Sequence, residues 1–319
     1  MIDETPTISF SASAAEAGKR LDALLAEKVS GWSRSRLQRL IDEGDVLVNE
    51  KPVKASYRVR EGDEISVEFS EPPSAVFEPE NIPLDIVFED EWIAVINKPA
   101  GMVVHPGAGV NSGTLANAIA HHFGLGSKPG TSAEKIGRIG IVHRLDKDTS
   151  GLIVVAKNEE IHEALSEQFH NRRVYKSYIA LVHGGPRENR GTIDKPIARD
   201  RWHRTKMTAA TSGRNALSVW KVRQRFEKFT LLDVEIKTGR THQIRVHLAS
   251  INHPIVGDVL YNEGRDNTIA DKTVRGSVQT IGRFFLHAEK LGFTHPKSGK
   301  YLEFTSKLPE ELAELLKLL

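Results

Sequence analysis

The feature that most limits how this chain can fold is a proline-rich, acidic stretch, SEPPSAVFEPENIP (70–83), with four prolines in fourteen residues. Each proline removes a backbone donor and fixes φ, so neither a helix nor a central strand can run through it. The segment reads as an extended linker. The 319 residues then divide into a short leading unit and a long following one, which length alone also favours, because single cores stop growing near roughly 250–300 residues. The expected boundaries are 15–75 for the first unit, 76–83 for the linker and 84–319 for the second.

In the leading unit, KRLDALLAEKV (19–29) sets Leu21, Leu24, Leu25 and Val29 at helical spacing. Ser33 is placed to cap a second helix whose apolar stripe is Leu37, Leu40 and Ile41, and Gly44 ends it. VLVNEKPV (46–53) reads as strand, turn and return strand, and ISVEF (65–69) as a further strand. Arg34, Arg36 and Arg39 stand together on the second helix, where they can serve as a solvated face or as phosphate contacts.

The following unit alternates strands with helices. Strands are expected at IVFED (86–90), WIAVINK (92–98), LIVVAK (152–157), VYKSYIALV (174–182) and FTLLDVEI (229–236). TLANAIAHHF (114–123) and IHEALSEQFHN (161–171) read as helices, which makes the class α+β with a mixed, mainly antiparallel sheet. Residues 262–282 are polar and aperiodic and are expected to form a surface loop, and PEELAELLKLL (309–319) reads as a closing amphipathic helix with Pro309 in its first turn.

Charge is informative only locally. The whole chain carries +2, but residues 172–245 hold 18 Lys and Arg against 6 Asp and Glu. Part of the surface must be strongly positive, either as a solvated face or as a phosphate-binding one. The absence of cysteine excludes disulfides, thiolate metal sites and cysteine nucleophiles, and suits a reducing cytoplasm. No apolar run is long enough for a bilayer, and MIDETPTISF carries acids where a signal peptide carries bases. A cytoplasmic protein away from membranes is expected. Metal and nucleotide chemistry find no support: the 13 histidines show no HExxH spacing, and the glycines at 124, 126 and 130 fit neither glycine fingerprint.

Three clusters can carry chemistry. In GIVHRLDKDTSGLIVVAK (140–157), apolar segments on both sides hold a polar loop with His143, Arg144, Asp146, Lys147 and Asp148. Asp146 is either an ordinary turn residue or a carboxylate presented with little freedom, as a nucleophile or base requires. In TGRTHQIRVHLASINHP (238–254), Gly239 makes a turn, Thr241 is placed to cap a helix, and Ile244, Leu248 and Ile251 form its buried stripe. That leaves Arg245 half-buried and in need of an anion, whether a structural partner or a catalytic carboxylate. Tyr178 alternates with Ala180 and Val182 on its strand, as a core residue or as the floor of a pocket for a flat base.

HRLDKDTSG (143–151), with NKPAGMVVHPG (97–107), KSY (176–178), GRTHQIRVH (239–247) and FLHAEKLGFTHP (285–296) in this order, resembles the RluA-type family of pseudouridine synthases. The likeness covers about 82–309. Residues 18–69 resemble the small RNA-binding domain of the ribosomal-protein S-four type. FEPENIPLDIVFEDEWIAVINKP and VVHPGAG resemble the branch that acts on large-subunit ribosomal RNA. The resemblance implies an isomerase that needs no cofactor and no metal, works as a monomer on ribosomal RNA or a large-subunit assembly intermediate, and flips a uridine out of its stack. It implies Asp146 as nucleophile, Arg245 as its charge partner and Tyr178 stacked on the base. It also implies Arg144 and Arg240 on the displaced backbone, with Arg201, Arg204 and Lys206 as further RNA contacts. A non-catalytic RNA-binding factor and a glycosidic-bond hydrolase are the rival readings; Asp148, in the same loop as Asp146, is poorly placed as the opposing carboxylate that hydrolysis needs.

Overall fold

The computed structural model describes residues 7–29, 32, 34–42, 44–69, 78–106, 110, 112–124, 140–200, 202–203 and 205–319. The chain forms two compact units, Met1–Ile82 with His105–Ile139, and Pro83–Val104 with Gly140–Leu319.

The first unit pairs helices α1 (Leu21–Lys28) and α2 (Arg34–Asp42) with a small antiparallel sheet. Its strands are β1 (Thr7–Ser11), β2 (Val46–Val48), β3 (Lys51–Pro52) and β4 (Glu64–Glu68), in the order β1-β4-β2-β3. Leu21, Leu24 and Leu25 of α1 and Leu37, Leu40 and Ile41 of α2 are buried together with Val46, Val48, Ile65 and Val67. Asn49 and Glu50 both take positive φ in the turn between β2 and β3, as a tight hairpin requires. Strand β1 was not expected from the sequence and adds an edge before residue 15. Helix α3 (Leu115–His122) also belongs to this unit, capped by the Thr114 side chain.

The second unit is built on a ten-stranded sheet. Its strands are β5 (Ile86–Glu89), β6 (Ile93–Lys98), β7 (Gly140–Ile141), β8 (Ser150–Ala156), β9 (Tyr175–His183), β10 (Arg190–Asp194), β13 (Leu217–Arg225), β14 (Phe229–Ile236), β15 (Leu286–Thr294) and β16 (Tyr301–Thr305). The order along the sheet is β10-β13-β14-β9-β15-β8-β6-β5, with β7 beside β8 and β16 beside β15. All pairings are antiparallel except β8 with β15. Strands β11 (Ile197–Arg199) and β12 (Met207–Ala209) form a separate hairpin. The fold is therefore α+β with a mixed, mainly antiparallel sheet.

The strands expected at 86–90, 92–98, 152–157, 174–182 and 229–236 are present as β5, β6, β8, β9 and β14, whereas β10, β13, β15 and β16 were not anticipated. LSVWKVRQR in β13 carries three bases among its nine residues, and that polarity masks a strand near the sheet edge. Helix α4 (Glu159–His170), capped by Asn158 accepting from Ile161 N at 3.0 Å, packs Ile161 and Leu165 with Leu152, Val154 and Phe293. A second cluster joins β9 and β14 to helices α5 (Gln243–Ser250), α6 (Lys272–Ile281) and α7 (Glu310–Lys317). Pro309 stands at the N-cap of α7.

The segment expected as a surface loop, 262–282, is a correction. It contains a short 3-10 turn (Arg265–Thr268) and the whole of α6. Asp271 caps α6 by accepting from Thr273 N and Val274 N, Val274 and Val278 bury one stripe, and Gly282 ends it at φ 65°. Two apolar residues one turn apart suffice for a helix once a core receives them, although they leave no periodicity visible against polar neighbours.

Gly151 sits where β8 meets β15, with φ 119°. A Cβ there would lie 2.3 Å from the Ala288 carbonyl oxygen. Gly151→Ala is expected to cost about 2–4 kcal/mol, from backbone strain and overpacking, measured as the shift in a urea unfolding curve.

Candidate active site

The loop 142–149 joins β7 to β8, and the two strands pair directly through Ile141 and Val155. Its backbone is pinned on the side that follows Asp146. Lys98, fully buried, donates to the carbonyls of Pro99 and Met102 at 2.8 Å and of Lys147 at 3.0 Å. Gly101 N also donates to Lys147 O at 2.9 Å, and Thr149 N to Asp146 O at 3.1 Å. Before Asp146, His143 Nε2 accepts from Val154 N at 3.1 Å, and its ring stacks on Phe169 at 4.5 Å. Burial, helped by the positive charge of Lys176, lowers the His143 pKa to about 3. The ring is neutral at physiological pH and acts as a wedge in the loop.

Asp146 keeps its side chain 17% exposed and faces Arg245, whose Nη1 donates to Asp146 Oδ2 at 3.4 Å. Burial works to raise the Asp146 pKa, but the charges of His242, Arg245 and Arg144 outweigh it and hold the carboxyl below its ordinary value. Asp146 is therefore ionised at neutral pH. Tyr178, on β9, is buried in the same cluster as Leu145, and its pKa is raised, first by burial and then by the negative charge of Asp146. The structure thus brings Asp146, Arg245 and Tyr178 into one neighbourhood.

Arg245 is more deeply buried than the sequence suggested, at 6% exposure, and its principal partner is a different carboxylate. Asp258 accepts from Nε at 2.7 Å and from Nη2 at 2.9 Å, a two-pronged pair. The guanidinium also lies 4.2 Å from the Phe284 ring and 5.0 Å from that of Tyr261. The reason Arg245 is held near the core is chiefly Asp258, with Asp146 as the looser second anion. Burial opposes the Arg245 charge, and Asp258 and Asp146 more than restore it, raising its pKa.

The expected helix cap is also corrected. Helix α5 starts at Gln243, and its N-cap is His242 in a left-handed conformation, φ 54°, not Thr241. Gln243 organises this end itself: its Oε1 accepts from Arg240 N at 3.0 Å and from Thr238 Oγ1 at 2.7 Å. That turn aims His242 at Tyr261, with Nδ1 2.8 Å from Tyr261 Oη. Tyr261 Oη in turn accepts from Met207 N at 2.8 Å, tying the β11–β12 hairpin to the site.

Of the remaining candidates, Arg144 is half-buried and adds its charge to the field at Asp146. Arg240 is half-buried, with Nε 3.4 Å from Asn215 O, and Lys206 is half-buried beside β12. Arg201, Arg204 and the side chains of Arg34, Arg36 and Arg39 lie outside the described residues. Sequence reading missed Asp258, Tyr261, His242 and Phe284. The available signal for Asp258 was its place in the otherwise apolar run PIVGDVLY (254–261), since a buried arginine needs a carboxylate nearby.

Against this geometry the comparisons are decisive. The sequence model of the family described as RNA pseudouridylate synthase matches residues 93–250, and that of the S4 domain matches 19–65. An uncharacterized RNA pseudouridine synthase, YlyB of Bacillus subtilis, is 43% identical over 310 residues, covering 97% of each chain. The chain belongs to the RluA-type RNA pseudouridine synthases. Ribosomal large subunit pseudouridine synthase D of Nitrosomonas europaea is 43% identical, over 94% of this chain and 84% of that one. Among solved structures, human RNA pseudouridylate synthase domain containing 4 superposes with a TM-score of 0.56 at 25% identity, covering 73% of this chain and 91% of the other. The synthase is thus an isomerase with an S4 RNA-binding domain in front.

The geometry separates the two carboxylates by role. Asp258→Asn is expected to destabilise the synthase by about 3–5 kcal/mol, because it leaves a buried guanidinium without its main partner. Asp146→Asn should change stability by under about 1 kcal/mol, since Arg245 keeps Asp258. Paired urea unfolding curves at pH 7 test the contrast.

Proposed function

We propose that this synthase converts uridines of large-subunit ribosomal RNA to pseudouridine, with Asp146 as the nucleophile. The observation that carries this reading is the ionised Asp146 carboxylate, held on a pinned loop, partly exposed and only loosely paired with Arg245. A carboxylate in a tight two-pronged pair is occupied; one at 3.4 Å from a single guanidinium nitrogen remains available for attack. The substrate reading is supported by relatives from Nitrosomonas europaea and Escherichia coli, named as ribosomal large subunit pseudouridine synthase D. Free ribosomal RNA or an assembly intermediate of the large subunit is the proposed partner, and the enzyme acts as a cytoplasmic monomer. Among the described residues, no helix is long and apolar enough to cross a membrane.

The reaction breaks the bond from uracil N1 to the ribose and forms one from C5. The proton lost at C5 is matched by one gained at N1, so no electrons are exchanged. The Asp146 carboxylate attacks the ribose carbon or the uracil ring, or takes a proton from the ribose on a glycal route. Arg245 keeps it charged, and Tyr178 stacks on the flipped base and helps move the proton. Arg144 and Arg240 hold the displaced backbone, with Lys206, Arg201 and Arg204 as outer contacts. Arg34, Arg36 and Arg39 of α2 serve the S4 domain in the same way. Flipping costs a few kcal/mol, least at a uridine already in a loop, so loop uridines are the preferred targets.

Ribosomal RNA tritiated at uracil C5 tests the assignment, because isomerisation releases the label to water and binding does not. Release is expected from the native enzyme and at least about 1000-fold less from Asp146→Asn, with RNA bound by both; undiminished release from the variant refutes the nucleophile. The same assay gives a pH profile. With its pKa below the usual carboxylate range, Asp146 imposes no loss of rate between about pH 5 and 8, and loses activity only as pH falls through that lowered value. Arg245→Met removes a charge that opposes the effect of burial, so its acid limb should move to higher pH.

A further inference from the structure

Arg283 and Phe284 are neighbours in the connector between α6 and β15, and their side chains reach two different parts of the site. The Arg283 side chain is 7% exposed. Its Nη1 donates to Asp148 O at 3.1 Å and Leu286 O at 3.4 Å, and its Nη2 to Ser150 Oγ at 3.3 Å and Glu311 Oε1 at 2.7 Å. It therefore grips the loop of Asp146 from the side where that loop enters β8. The next residue, Phe284, covers the Arg245 guanidinium at 4.2 Å. The backbone of the pair is wedged as well: a Cβ on Gly257, which has φ 81°, would lie 2.3 Å from Arg283 O. Gly257 directly precedes Asp258, the main partner of Arg245.

Two adjacent residues thus touch all three segments that meet at the buried guanidinium. An unrestrained carboxylate beside a guanidinium closes to about 2.7–2.9 Å, as Asp258 does, yet Asp146 stops at 3.4 Å. Something must hold the loop back. A guanidinium needed only to neutralise Glu311 would not also span a loop carbonyl and a strand hydroxyl.

We propose that Arg283 is a positioning residue for Asp146. With Phe284 it sets the gap between the Asp146 carboxylate and Arg245, and Glu311, from the C-terminal helix α7, aims its guanidinium. The proposal rests on Asp146 being the nucleophile. If the loop slips toward Arg245, the carboxylate becomes a tight ion pair and a poorer nucleophile; if it slips away, it loses the charge that keeps it ionised.

Steady-state tritium release by the full chain tests this with Arg283→Gln, Arg283→Lys, Glu311→Lys and Asp146→Asn side by side. Arg283→Gln is expected to lower kcat about 10–100-fold with KM within about twofold, the signature of misplacement without lost binding. Arg283→Lys should recover part of kcat, because an ammonium restores the charge but not the fork. Glu311→Lys repels the guanidinium from a half-exposed site that tolerates substitution, and should lower kcat about 3–10-fold at unchanged KM; it decides the matter if Arg283→Gln does not fold. Native kcat in a folded Arg283→Gln, in Glu311→Lys where Arg283→Gln is unfolded, or a loss confined to KM, overturns the proposal while leaving Asp146 in place. Full release by Asp146→Asn overturns the nucleophile reading itself.

Discussion

A guanidinium removed from water must be matched by charge and by geometry, and Arg245 is the point at which this chain meets that demand. Its 6% exposure leaves little solvent to stabilise the cation, so the protein surrounds it with anions and ring faces. Asp258 takes two of its nitrogens, Asp146 approaches a third, and Phe284 and Tyr261 lie against the plane. The contacts come from three separate parts of the chain, Asp146 from one, Asp258 and Tyr261 from a second and Phe284 from a third. Helix α5, the loop between β7 and β8, the turn at Gly257 and the connector before β15 all meet at a single charge, which makes the site a consequence of the packing around it.

The two aspartates divide the requirement between them. A fully paired Asp258 satisfies the buried cation, and that frees Asp146 to remain partly exposed and loosely held. Its low pKa is the result of competition, burial against the positive charges of His242, Arg245 and Arg144. The loop that presents it behaves as part of the sheet. Lys98 and Gly101 fix the Lys147 carbonyl, Arg283 fixes that of Asp148, and His143 wedges against Val154. A side chain carried on a loop is placed more accurately when the scaffold restrains the loop backbone in this way.

The S4 unit is organised on a simpler principle. Its core is built largely of leucine, isoleucine and valine from its two helices and from strands β2 and β4, and its polar anchors are internal, as where buried Asp22 binds Arg20 at 3.0 Å and Gln38 at 2.7 Å. The excess of positive charge lies elsewhere, between residues 172 and 245. An RNA-binding domain and a separately charged enzymatic unit on one chain suit a substrate that is large and bears phosphate throughout its length.

Local pattern was enough for both helices of the S4 unit, α3, α4 and the central strands, because apolar spacing at two or 3.6 residues reports a face that must be buried wherever the chain goes. The sequence motifs likewise marked Asp146, Tyr178 and Arg245 as residues worth finding together. What they left out shares one cause. Helix α6 hides behind polar neighbours, β13 behind its bases, and Asp258 behind a separation from Arg245 of 13 residues, while Asp146 lies 99 residues from that same arginine. Periodicity carries no information about which distant groups will share one buried charge; that pairing, tight to Asp258 and loose to Asp146, is decided only when the sheet and its connectors close around the guanidinium.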